Sequence, residues 1–112
     1  MTIDDITILD AIRRETGESG WKFCKCAKVI ALVARSNGVY TDALQNALVD
    51  EEAWENDVLN SIYQRIINMA KAKRLVIAQG NLGGQDFGPA HPRLTECSLT
   101  AIGLELLNNR HH

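Results

Sequence analysis

The densest grouping of chemically useful side chains lies between residues 57 and 74. At about 100° per residue, the helical step, Asp57, Asn60, Ser61, Gln64, Arg65, Asn68 and Lys71 fall within an arc of about 140°. Val58, Leu59, Ile62, Tyr63, Ile66, Met69 and Ala70 fall on the opposite arc, and Ile67 sits at the border. The segment therefore reads as an amphipathic helix with one packing face and one polar face. A merely solvated face favours Glu and Lys, which are strong helix formers. This face holds short amides, a serine and an arginine instead. Those side chains suit the reading of base edges, because Arg holds guanine by two hydrogen bonds and Asn or Gln holds adenine likewise. Asn60, Ser61, Gln64, Arg65 and Asn68 are the candidate base-reading set. Lys71, Lys73 and Arg74, at the end of the helix, are candidate phosphate contacts.

Other groupings carry less. Cys24, Cys26 and Cys97, with His91 or His111-His112, invite a zinc site. On a helix, Cys24 and Cys26 would lie about 200° apart and could not face one ion. The expectation is three reduced thiols filling a core, with no metal. No Cys-x-x-Cys occurs, which argues against a redox motif of that type. Gly83-Gly84 lacks the spacing of a phosphate cradle and reads as a loop tip. The acids of residues 50–57 cluster, but nothing places two of them in an apolar pocket that would split their pKa values. His91 has no evident nucleophile as partner. The reading is a binding domain with no catalytic residues and no cofactor. Trp21 and Trp54 stand at helix edges, and Trp54 lies inside an acidic link.

These residues need a scaffold, and 112 residues make one domain, 1–112. Helices are expected at about 3–16, capped by Thr2, at 21–36, and at 42–49, capped by Thr41. The second is apolar nearly all round in its second half, with Lys22, Lys25 and Lys28 as a narrow polar stripe, and should be central. The polar-faced helix is expected over about 55–73. Leu75-Val76-Ile77-Ala78 is rich in β-branched residues and reads as a strand, about 75–79. Gly80 to Pro92 is a loop, and Arg93 to Ser98 returns as an antiparallel strand. Thr100 caps a terminal helix, about 100–109. The fold class is mainly α with a small β-hairpin, α+β.

The net charge of −2 excludes a histone-like polycation, but it hides a sharp division. Residues 41–60 carry six acids and no base, whereas residues 61–75 carry four bases and no acid. No apolar run approaches ~18 residues, so no membrane-spanning helix is expected. The acidic start lacks the basic region of a signal peptide, which points to a cytoplasmic location.

Helix, short helix, turn, long helix, strand, loop, strand is the element order of a winged helix-turn-helix. The segment from Ser61 to Val76 resembles the recognition-helix region of winged-helix transcriptional regulators, with an Arg between apolar pairs, a basic cluster and Leu75-Val76 leading to the wing. Leu99-Thr100-Ala101-Ile102-Gly103-Leu104-Glu105-Leu106-Leu107 resembles the Leu-Thr-x-x-Gly-x-x-x-Leu segment that commonly follows the wing. The resemblance covers about residues 40–107. It implies a DNA-binding transcriptional regulator, with the long helix in the major groove of double-stranded DNA and Arg93 on the wing. It also implies a homodimer that reads two half-sites, joined through the first two helices and the terminal one. The alternative is a winged helix used as a protein-interaction module, with the acidic link around Trp54 contacting a protein partner.

Overall fold

Capping side chains set most of the helix boundaries. The computed structural model describes residues 3–16, 23–71, 76–79 and 91–109. Helix α1 spans Asp5–Thr16. Asp4 caps it by accepting from the Thr7 N–H at 2.9 Å. Ile3 and Ile8 flank that cap and are both buried, as in a hydrophobic staple. The helix therefore starts two residues later than expected, and Thr2 lies outside the described residues. Helix α3 (Asp42–Val49) begins at Thr41, whose Oγ1 accepts from the Leu44 N–H at 3.2 Å. Helix α4 (Asp57–Lys71) begins after Asn56, whose Oδ1 accepts from the Val58 and Leu59 N–H groups at 3.0 and 3.1 Å. That cap moves the start from the expected residue 55 to Asp57. Helix α5 (Ala101–Asn109) is capped by Thr100, which accepts from the Gly103 N–H at 3.0 Å.

Helix α2 is different. The sequence suggests a helix from about residue 21, but Cys24–Lys25 is a short strand, β1, and α2 spans Cys26–Ser36. The cause is a distant edge. Strand β3 (Glu96–Leu99) pairs on one side with β2 (Val76–Gln79), which leaves its other side open. Strand β1 covers that side, placing Cys24 opposite Cys97 and Lys25 opposite Glu96. The ladder runs on into the first residue of α2, where the Cys26 N–H donates to the Thr95 carbonyl at 3.1 Å. The sheet is antiparallel with the order β1-β3-β2. At the other end of α2, Gly38 adopts a left-handed φ of 71° and turns the chain toward α3.

The expected strand over residues 93–98 begins later, at Glu96. Pro92–Leu94 forms a 3-10 turn, closed by the Leu94 N–H donating to the His91 carbonyl at 2.8 Å. The loop 80–90 lies outside the described residues. The core is aliphatic. Ile8, Leu9 and Ile12 of α1 meet Val29, Ile30 and Val33 of α2, and Leu59, Ile62 and Ile66 of α4 close it. Helix α2 is central, touching α1, α3, α4, β1 and the 3-10 turn. The described residues thus form a mainly helical α+β arrangement with one small antiparallel sheet.

Candidate nucleic-acid interface

Helix α4 turns the apolar arc inward and the polar arc outward. Leu59, Ile62, Tyr63, Ile66, Ile67 and Met69 are buried, whereas Asn60, Ser61, Gln64, Arg65 and Asn68 are exposed. Five of the candidate base-reading side chains therefore share one outer face. Gln64 and Asn68 are one turn apart and already paired, with Gln64 Nε2 donating to Asn68 Oδ1 at 3.0 Å. Lys71 closes the helix, with its side chain outside the described atoms. Lys73 and Arg74 lie outside the described residues.

Two arginines have partners that sequence reasoning missed. Arg65 donates through Nη1 to Asp5 Oδ1 of α1 at 2.8 Å, with both side chains about half exposed. Arg93 does not lie on a wing strand. It sits on the 3-10 turn, and its guanidinium donates to the Val49 carbonyl at the end of α3, at 2.8 Å. A cation at a helix C-terminus is favoured by the free carbonyls and the helix dipole there. The extended strand expected at residue 93 would have aimed this side chain elsewhere. No local signal points to Val49, whose carbonyl lies in a different element.

The acidic link is ordered by its own side chains and by a buried aromatic group. Asp50 accepts from the Glu52 and Ala53 N–H groups at 2.9 and 3.1 Å, which holds its carboxyl below the usual range. Trp54 is half-buried, not an exposed contact. Its ring meets Tyr63 edge-on at 6.3 Å and His91 at 5.1 Å between centroids. His91 is itself buried. It bonds the Ala47 carbonyl through Nε2 at 2.7 Å and accepts from the Arg93 N–H through Nδ1 at 3.1 Å. With Nδ1 accepting, Nε2 carries the proton in this arrangement. The ring pins the 3-10 turn to α3. A shallow groove lined by Glu52, Ala53, Trp54, Glu55 and Asn60 runs past the start of α4. The two carboxylates make that end of the polar face unfavourable for phosphate, so a duplex would be favoured over the half that holds Gln64, Arg65, Asn68 and Lys71.

Behind the face lies a buried polar pair in the core. Tyr63 reaches inward from α4, and its hydroxyl shares a 2.9 Å hydrogen bond with Thr95 Oγ1. Burial pushes its pKa up to about 12. Cys24 and Cys26 do not share a helix as the sequence suggests. Cys24 lies on β1 opposite Cys97, and Cys26 opens α2, its N–H bonded to the Thr95 carbonyl. All three are free thiols and buried. Among the described residues, no group of three or more His, Cys, Asp or Glu side chains is arranged to hold a metal ion. No described helix is long and apolar enough to cross a membrane. No protein-family model matches the chain, and neither a curated protein nor a solved structure matches it.

Proposed function

We propose that the chain is a DNA-binding regulator of winged-helix type, with α3 and α4 as its helix-turn-helix and the β2–β3 pair as its wing. The observation that carries this reading is the outer face of α4. Asn60, Ser61, Gln64, Arg65 and Asn68 are all exposed along one side of a helix whose other side is wholly packed. Short amides weaken a helix that has only to be solvated, and they are the side chains that discriminate bases in the major groove. The order α2, α3, α4, β2, β3 supports the assignment. Ile102 and Leu106, one turn apart on α5, are 54% and 41% exposed, and this apolar pair suits a second copy. A dimer would then read half-sites about 34 Å apart. Selection of bound duplexes from a random pool tests the reading. Wild type should enrich a two-fold sequence, and Gln64→Ala should lose preference at one position of each half-site. Failure to enrich any sequence would count against base reading.

A second reading rests on the groove beside Trp54. Two carboxylates beside an aromatic ring suit a basic peptide, which fits a protein-interaction module. A lysine-rich peptide should then bind, and Glu52→Gln with Glu55→Gln should abolish that binding while duplex binding is kept or improved.

A further inference from the structure

One acidic side chain stands where DNA binding by charge alone has no use for it. Asp5, in the first turn of α1, accepts through Oδ1 from Arg65 Nη1 at 2.8 Å. The two side chains are 48% and 46% exposed, so the pair is open to solvent on the face of α4 that also holds Gln64 and Asn68. The start of α1 does not explain Asp5. Its neighbour Asp4 already caps the helix, accepting from the Thr7 N–H at 2.9 Å and the Thr7 hydroxyl at 2.7 Å. A carboxylate on a surface that meets DNA is repelled by phosphate. It is useful there only where the nucleic acid offers a donor.

We propose, on the DNA-binding reading of α4, that Asp5 is a second base-reading residue, which selects a G·C pair together with Arg65. Across its major-groove edge, a G·C pair shows the guanine N7 and O6 acceptors and then the cytosine N4 amino donor. Arg65 with Asp5 beside it shows guanidinium donors and then a carboxylate acceptor, which is the complementary order. Arg65 meets guanine, and Asp5 accepts from cytosine N4. An A·T pair sets the adenine N6 donor against the guanidinium and the thymine O4 acceptor against the carboxylate. A reversed pair sets the cytosine donor against the guanidinium. The two side chains therefore fix both the base pair and its orientation. Asp5 lowers affinity for every duplex through its charge and recovers part of that loss only where a cytosine donor meets it. Specificity then comes from a penalty on the wrong partners.

Selection of duplexes from a random pool by wild type, Arg65→Ala and Asp5→Ala tests this role. Wild type should enrich G·C at one position, and Arg65→Ala should lose the preference at that position. Asp5→Ala should bind duplex at least as tightly in general, yet its preference for G·C over A·T at the same position should fall about fivefold. A merely structural or electrostatic role for Asp5 would move affinity without moving base preference. An enriched site whose preferences survive Asp5→Ala would overturn the role of Asp5 alone. A pair other than G·C at the Arg65 position would do the same without any Asp5 variant. Enrichment of no sequence by wild type would overturn the DNA-binding reading, and the role of Asp5 with it.

Discussion

At the scale of single residues, Arg65 carries the most consequence. It is exposed on the face proposed to read DNA, yet it is paired with Asp5. An exposed pair of this kind is worth about 0–1 kcal/mol, so a guanine edge can compete for the guanidinium at little cost. Arg65→Ala should therefore cost about 1–3 kcal/mol of specific binding and less than about 1 kcal/mol of stability in urea unfolding. Asp5→Ala should act in the opposite direction. It frees the guanidinium and removes a negative charge, so duplex affinity should rise by about 0.2–1 kcal/mol, measured by fluorescence anisotropy. Tyr63 makes a prediction about pH. Its folded pKa is raised from 10.0 to about 12. A group with a raised folded pKa contributes stability that is fully present below its unfolded value and lost as the pH climbs through the folded value. Wild type should therefore lose stability relative to Tyr63→Phe between pH 10.0 and about 12. Parallel unfolding curves for the two proteins across that window would show the opposite.

At the scale of elements, the cap of α4 matters because the helix presents the whole candidate face. Asn56 satisfies two of its free N–H groups. Asn56→Ala should lower stability by about 0.5–2 kcal/mol, read as a shift in the urea midpoint at constant slope. What was legible in the sequence follows the range of the interactions. The two faces of α4 came from a period repeated over four turns, and the structure buries even the border residue, Ile67. Thr41 and Thr100 were legible as caps because capping is local. Strand β1 was not legible, because Cys24 and Lys25 are extended only through pairing with Cys97 and Glu96 near the far end of the chain. A helical wheel drawn through Cys24 and Cys26 therefore did not apply, because Cys24 is paired with Cys97 in the sheet and Cys26 only begins the helix. The place of Arg93 was not legible for a related reason. Pro92 opens a 3-10 turn that His91 anchors to the Ala47 carbonyl, a partner forty-four residues earlier. The side chain consequently bonds the Val49 carbonyl at the end of α3.

At the scale of the whole molecule, the net charge of −2 gives no attraction to DNA by itself, so binding depends on where the charges stand. The six acids of residues 41–60 lie in α3, in the link and at the start of α4, while Arg65 and Lys71 lie farther along that helix. A duplex placed over the later half of α4 meets the cations and avoids the groove at Glu52 and Glu55. Association of two copies through Ile102 and Leu106 would double that contact. Ile102→Lys with Leu106→Lys should then yield a monomer by light scattering, with the fold kept, since both side chains are exposed already. The most direct test of the central claim is an anisotropy titration of the protein with duplex DNA at two salt concentrations, repeated for two variants. Affinity should fall as salt rises, because phosphate contacts release counterions. Lys71→Ala should lower the salt slope by about one and weaken all sequences alike, whereas Gln64→Ala should keep the slope and lose sequence preference. Absence of salt-dependent binding by wild type, or identical behaviour of all three proteins, would contradict the account.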